Sequence, residues 1–590
     1  MKQFFKFMFA SLLGFIIGSF LLFFVLIGMV VSIASFSKRD TVVVSPNSVL
    51  HLSFDSEVVD RGGQNPFESA DFFSMSLGRT VGLNDILNNI KKATEDENID
   101  GIFLDLGIAR AGWATLSEIR EALLAFRESG KFIVSYAEAY GQSAYYLASV
   151  ADKVYLHPEG GVDFRGLNAE LMFFKNMLDR LGIDAQVIRH GKFKSAGEMF
   201  FLESMSEENR EQVSAYIGSI WNNVMAGIAE SRGLTINTLN EVADAFSSRN
   251  PEMAMESGLI DGIMHRDEVY DTINELLGKE TDKKPELVTL GNYAKAPLPK
   301  SMLAQRGRDR IAVIYASGNI LPGKGGEQTI GSESMAEAIR QARLDESVKA
   351  IVFRINSPGG SAMASDVILR EVKLASAEKP VIASMGDVAA SGGYYIACAA
   401  DLIVANPTTI TGSIGVFGMI PNMQDFFNQK LGITFDNVKT NEFADLATVT
   451  RPLTQTETAL IQEEIERIYE TFLDHVAQGR NMPVSAIDEL GQGRVWSGSE
   501  ARKNGLVDEY GGLMYAIGQA ADMAGLETYR IVEYPTRKDL LTRIMEDFGG
   551  VQERWIQKRL GTAYHYYRQV EEINQMTGIM ARMPYDIILE

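Results

Sequence analysis

The 590-residue chain has a single cysteine, Cys398, and only six histidines. One cysteine excludes an intrachain disulfide framework and any cysteine-clustered zinc site. The histidines are scattered with no HExxH or comparable pair, which argues against a histidine-rich metal centre. Positive charge is scarce too: 56 Lys and Arg stand against 77 Asp and Glu, a net charge of −21. A nucleic-acid-binding body needs a basic face, and this balance argues against one. Charge of either sign amounts to 23% of residues against 46% hydrophobic. The chain can therefore bury large cores and is not a disordered polyampholyte. Its length is too great for one compact domain of roughly 100–200 residues.

From Phe7 to Phe36 charge is missing altogether, in the run FMFASLLGFIIGSFLLFFVLIGMVVSIASF. A bilayer core about 30 Å thick takes about 20 helical residues, so this run spans with length to spare. A signal-peptide core is shorter, about 7–15 residues, and no small-x-small cleavage site follows. The expectation is an uncleaved anchor within residues 1–40. Lys2 and Lys6 precede it, and Lys38 and Arg39 follow, so the positive-inside rule is nearly silent on orientation. No later stretch reaches about 18 uncharged apolar residues, so one span is expected.

Behind the anchor the chain repeats itself. KFIVSYAEAYGQSAYYLASVADKVY at 131–155 parallels KPVIASMGDVAASGGYYIACAADLIV at 379–404. Tyr146 with Tyr395, and Asp152 with Asp401, stand at a common offset of 249. LDRLGIDAQVI matches NQKLGITFDNV, and ESGLIDGI matches KNGLVDEY. Two copies are expected, over residues 41–295 and 296–590, the second with a C-terminal helical tail. In the second copy IAVIYA, AIVFRI, PVIASM and LIVAN read as strands. They alternate with helical stretches at 332–345, 364–376 and in GGYYIACAA. Apolar strands separated by helices imply parallel βαβ units, whose strands are apolar throughout because both sheet faces are covered. The fold class expected is α/β, twice.

In open α/β sheets ligands bind beyond the carboxyl ends of the strands. Two loops of the second copy lie there: Asn356–Ser361, with Pro358-Gly359-Gly360, and Gly386–Gly393, with Ser391-Gly392-Gly393. Consecutive glycines before a helix offer free backbone N–H groups to a developing oxyanion. A serine among residues too small to shield it is presented like a nucleophile on a turn. The plainer reading makes both loops tight helix entries, with Ser391 as an N-cap. A nucleophilic serine needs a base. Downstream, the copy has only His475, in an amphipathic stretch, and His565, so a Ser-His-Asp triad is poorly supplied. A lysine serves only if burial lowers its pKa from about 10.4 towards neutrality, which costs about 4 kcal/mol. The first copy offers Lys192 and Lys194, in HGKFKSAGE after the strand AQVI. Either alone reads as a solvated loop cation. The duplication sharpens this: the first copy has Gln142 where the second has Ser391, and the second has Ala444 where the first has Lys194. Each copy lacks what the other supplies, as expected when two halves share one site.

These motifs together resemble the signal peptide peptidase A (protease IV) family in its long, duplicated, membrane-anchored bacterial form. The resemblance covers nearly the whole chain: anchor, FKSA, SPGG, GDxAASGGYYIA, and TGSIGVFG at Thr411–Gly418. It implies two crotonase/Clp-protease-like domains, a Ser/Lys dyad, and a tetramer on the outer face of the cytoplasmic membrane. The implied substrates are remnant signal peptides, with no metal or organic cofactor. By motif, Ser391 takes the nucleophile's place and Lys194 the general base's. Ser413 matches the serine that orients the lysine, and Gly359, Gly360 and Gly392 match the oxyanion hole. The final residues, RMPYDIILE, match none of these motifs. Two other classes are considered. A crotonase-type acyl-thioester enzyme would share the oxyanion loops but leave Ser391 and Lys194 unexplained. A catalytically silent membrane scaffold would not need to keep Ser, Lys and SPGG intact. Among weaker signals, Asp387 reads as a helix-entry carboxylate and Cys398 as a buried filler. Tyr145, Tyr146, Tyr394 and Tyr395 read as core. The stretch 463–478 reads as a packing or oligomer helix. Gln552–Met576 reads as either an exposed closing helix or a membrane-surface or intersubunit one.

Overall fold

The computed structural model describes residues 2–36, 42–54, 56–62, 80–281, 283–304, 306–326, 329–536 and 578–583. Lys2–Phe36 form one helix. Its stretch Lys6–Phe24 is long and apolar enough to cross a bilayer and none of it is buried against the rest of the chain. A helix apolar on every side has no polar face to turn to water, so it needs lipid or protein around it. The segment 552–576 lies outside the described residues.

Two α/β units follow. The first sheet runs Gly262–Ile263, Lys153–Leu156, Phe132–Ala137, Ile99–Asp105, Ser48–Leu52, Leu287–Thr289, parallel throughout. In the second, Val381–Ala390, Val348–Ser357, Arg310–Ser317 and Arg530–Tyr534 lie side by side and parallel. Ile410–Gly412 extends it beyond the end of Val381–Ala390, and Val495–Ser497 closes that edge antiparallel. Helices cover both faces. In Arg310–Ser317 the pleat sends Ala312, Ile314 and Ala316 into one core and Ile311, Val313 and Tyr315 into another. An uninterrupted apolar strand is the result. The helices expected at 332–345 and 364–376 appear as Ser332–Leu344 and Ala362–Ser376.

Both strands that lead to the glycine loops run further than the sequence reading, AIVFRI lying within Val348–Ser357. PVIASM does not stop at Met385: the strand continues to Ala390, through more than half of the expected loop Gly386–Gly393. Past Ile355 its pairing with Val348–Ser357 shifts register, and Val388–Ala390 find Ile410–Gly412 as new partners. The turn thereby shrinks to Ser391.

A third sheet joins the two units, in the order Thr329–Gly331, Asn319–Leu321, Gly359–Ser361, Gly578–Arg582, Phe417–Asn422, Asp184–Arg189. Its last two strands come from different copies and pair antiparallel from Phe417↔Arg189 to Asn422↔Asp184. This pairing carries a piece of the first copy to the mouth of the second.

Candidate active site

Ser391 sits where the strand Val381–Ala390 meets the helix Gly392–Ala397. Its backbone, φ 53° and ψ −113°, is one that a residue with a Cβ adopts only when its surroundings hold it there. They do so from both sides. Ser391 N donates to Gly412 O at 2.8 Å, and Tyr395 N donates to Ser391 O at 2.8 Å. The hydroxyl does not cap the helix that begins beside it. Instead Oγ lies 2.9 Å from Lys194 Nζ and 3.5 Å from the Gly415 carbonyl.

Lys194 arrives from the other copy. The strand Asp184–Arg189 crosses into the third sheet, and the loop after it is fixed at several points. Phe193 N donates to Gln492 O at 3.0 Å, Arg189 donates to Lys194 O at 2.9 Å, and Gln212 Nε2 donates to Phe193 O at 3.2 Å. Gln212 also accepts from Val495 N at 3.1 Å, tying this loop to the second sheet. Gly493 passes so close that a Cβ there would lie 2.5 Å from Lys194 Cβ, at a φ of +80° that itself favours glycine. Lys194 is wholly buried. Among the described residues Nζ reaches, besides Ser391, only Ser413 Oγ at 3.1 Å and the Ser413 carbonyl at 3.2 Å. Burial among uncharged partners holds its pKa well below the ordinary lysine value. Ser413, also at positive φ (51°), donates its N–H to Arg494 O.

The two glycine loops meet over Ser391. Gly359–Ser361 is a short strand of the third sheet, and Ser361 Oγ caps the helix Ala362–Ser376. A Cβ on Gly359 would stand 2.7 Å from Gly392 N, so the backbones touch as only glycine allows. Gly359 and Gly392 thus meet beside Ser391, and Gly360 follows in the strand, paired with Ile320 and Ala581. The structure brings together Ser391, Lys194, Ser413 and these glycines. It leaves Lys192 exposed, with Nζ 5.0 Å from the Phe193 ring centroid. Gln142, at the position aligned with Ser391, accepts from Arg165 N and Gly166 N at 3.0 Å each. His475 pairs with Lys373 and Asp366 instead of the serine. His565 lies outside the described residues.

Among known proteins, the model for peptidase family S49 matches this chain twice, at residues 125–280 and 373–527. Protease 4 of Haemophilus influenzae is 36% identical over 85% of this chain and 83% of its own length. Protease 4 of Salmonella typhi is 34% identical over 91% and 88%. The chloroplastic serine protease SPPA of Arabidopsis thaliana is 35% identical over 85% and 74%. The chain belongs to peptidase family S49. It is a serine peptidase built from two tandem α/β units behind an apolar helix that fits a membrane anchor, as the sequence implies. This assignment favours peptide hydrolysis over acyl-thioester chemistry and over a silent scaffold.

Other sequence readings of this S49 chain meet the structure as follows. Tyr145, Tyr146, Tyr394 and Tyr395 are buried, and Tyr394 and Tyr145 donate to the Leu506 and Leu259 carbonyls. Cys398 is buried with its thiol pushed up to about 12 by desolvation, an unreactive filler. Residues 463–478 fall within the helix Gln455–Arg480, which buries Tyr469, Phe472, Leu473 and Val476. Asp387 is a helix-entry carboxylate, but of another helix. It accepts from Thr115 N at 2.9 Å and Thr115 Oγ1 at 2.6 Å, capping Trp113–Glu128 of the first copy. That helix begins at Gly112, which has no side chain to do so. Sequence reasoning missed this cap, the Gly415 carbonyl, Gln212, and the strand Gly578–Arg582. A carbonyl or a long-range cap leaves no local pattern to find. Among the described residues no group of three or more His, Cys, Asp and Glu side chains is placed to hold a metal ion.

Proposed function

We propose that this S49 peptidase acts through a Ser391/Lys194 dyad on hydrophobic peptides, remnant signal peptides foremost. The observation that carries this is the buried 2.9 Å contact between Lys194 Nζ and Ser391 Oγ, made across the two copies. A neutral Lys194 takes the hydroxyl proton as Oγ attacks the scissile carbonyl. The Gly392 N–H and the Gly359–Gly360 backbone stabilise the oxyanion, at about 3 kcal/mol per donor. Lys194 passes the proton to the leaving amine, and water then hydrolyses the acyl-enzyme by the reverse sequence. Ser413 orients the amine through its 3.1 Å contact. Residues 41–295 supply the base and 296–590 the nucleophile. The anchor and the family resemblance support a single-pass protein of the bacterial cytoplasmic membrane, with both units on the periplasmic side and four copies assembled. An apolar peptide would reach the site from the bilayer surface. Neither nucleic acid nor a cofactor is part of this reading.

The test is hydrolysis of a fluorogenic apolar peptide by the detergent-solubilised protein. Ser391→Ala and Lys194→Ala are each expected to lose about 10³-fold or more of kcat while remaining folded. Lys192→Ala, altering an exposed side chain, should stay within about threefold of the parent. Full activity in either of the first two variants would overturn the dyad.

A further inference from the structure

A base that moves a proton has to be held to within about 0.5 Å. Lys194 belongs to no long element: it lies at the entry to the short turn Ser195–Gly197. One side chain grips this loop on both sides of the lysine. Gln212 is fully buried on the helix Glu207–Arg232 of the first copy. Its Nε2 lies 3.2 Å from Phe193 O and 2.9 Å from Ser195 Oγ, with Asn209 Oδ1 at 3.2 Å. Its Oε1 accepts from Val495 N, in the second copy, at 3.1 Å.

The place of Val495 in the second sheet gives this contact its meaning. Ser413 N donates to Arg494 O at 2.6 Å. Bonded and non-bonded pairs alternate along an antiparallel edge, so Gly412 and Val495 form the next, non-bonded pair. Their free backbone groups point outwards. On one side Gly412 O takes the Ser391 N–H. On the other the buried Val495 N–H needs an acceptor, and Gln212 supplies it. The helix meets the second copy again about two and three turns further on, with Ser219 Oγ 2.8 Å from Ser497 Oγ and Asn223 Nδ2 3.1 Å from Ser499 Oγ.

From this we infer that Gln212 is a positioning residue for the dyad, its amide fixing the loop that carries Lys194 against the strand that backs Ser391 and Ser413. The inference rests on the dyad proposed above. Glutamine offers a donor and an acceptor at this length whatever the pH, whereas methionine keeps the length with no donor and only a weak acceptor. Lys194 is held neutral by being dry. A loosened loop would admit water and favour the charged amine again. The charges around the loop are paired with one another, Arg189 with Glu198 and Arg494 with Glu211, and Lys192 is exposed. Access of water is therefore the change that the lysine's titration would register.

The test is fluorogenic-peptide hydrolysis by the detergent-solubilised full chain from about pH 6 to 10, with circular dichroism and thermal unfolding on the same samples. Gln212→Met is expected to lose at least about tenfold in kcat with KM within about threefold of the parent. The midpoint of its rate–pH curve should move up by roughly one unit. Asn223→Ala removes a docking contact of the same helix and should lower the unfolding temperature while leaving that midpoint in place. Ser195→Ala removes one group that Gln212 holds and should move the midpoint in the same direction by less. The positioning role is overturned if Gln212→Met keeps the parent's midpoint, whatever its rate or stability, or if Asn223→Ala shifts it equally. Should the methionine variant not fold, an unshifted midpoint in Ser195→Ala overturns it alike. A flat profile in the parent, or an active Lys194→Ala, would instead remove the dyad on which the inference rests.

Discussion

Taking the Lys194 amine out of water disfavours its charged form, and its hydrogen-bond partners are two hydroxyls and one carbonyl rather than a carboxylate. Two pH dependences follow with definite signs. In the proposed dyad activity needs the neutral amine, so the rate should rise with pH through the depressed lysine pKa and level off above it. A profile flat from about pH 6 to 10 would count against a lysine base. Stability behaves differently. Between the folded pKa and the unfolded value of about 10.4, the unfolded chain binds a proton that the folded chain does not, so stability increases with pH over that window. Lys194→Met abolishes this term. The variant should be inactive yet unfold at a higher temperature than the parent at neutral pH, by a margin that shrinks towards pH 10. Thermal unfolding across that range checks it, and a variant less stable at every pH would refute the burial account. Ser391 and Lys194 are legible in sequence because duplication exposes what each copy lacks. Ser413 is legible only through family resemblance. The positive φ of Ser391 and the carbonyl of Gly415 have no signature in residue identity, since they depend on where another strand passes.

At the scale of elements, the strand that carries Ser391 is held in place by a helix of the other copy. Asp387, four residues before the serine, supplies the N-cap that Gly112 lacks. A Cβ on Gly112 would lie 2.1 Å from Asp387 Cγ, so the helix start and the strand fit only with glycine between them. Burial raises the Asp387 carboxyl pKa, against the opposing effect of the Thr115 bonds. Thr115→Val removes one of the two bonds and leaves a buried carboxylate oxygen without its partner, at about 1–3 kcal/mol. The expected result is a lower unfolding midpoint with a fall in kcat larger than any change in KM, because the strand end carrying Ser391 loosens while the rest of the site keeps its place. Thr115→Ser, which keeps the hydroxyl, should restore both. Unchanged kcat in the valine variant, with stability lowered, would reduce the contact to a structural one. The βαβ order of each copy is legible because buried strands and amphipathic helices write themselves as local patterns. The third sheet is not: its strands come from six separated places, several only three residues long, and only folding brings them into one ladder.

For the whole molecule, the question is whether two copies behave as one unit. Arg354, fully buried on the strand Val348–Ser357, pairs with Asp60 at 2.7 Å and Glu118 at 2.7 Å, both from the first copy. It also donates to Ser384 Oγ at 3.0 Å, on the strand that leads to Ser391. Burial works against the guanidinium's charge, but Glu118 and Asp60 outweigh it and hold its pKa above the ordinary arginine value. Glu118 in turn accepts from Leu513 N at 2.6 Å, so the first copy also holds the start of the helix Leu513–Met523 in the second. An ion pair of this kind adds little net stability against an apolar replacement, yet breaking it from one side strands the remaining charges. Arg354→Met should therefore cost about 3–5 kcal/mol at neutral pH. Replacing all three partners together, with Asp60→Asn and Glu118→Gln, should return most of that loss. Because the cluster belongs to both copies, calorimetry of the parent should give one transition for the two α/β units, and the single variant should shift that transition as a whole. Two separate transitions, only one of them moved by Arg354→Met, would mean that the copies fold independently. The proposed dyad would then depend on docking alone, and Arg354→Met should lower activity by separating Lys194 from Ser391 before either unit melts.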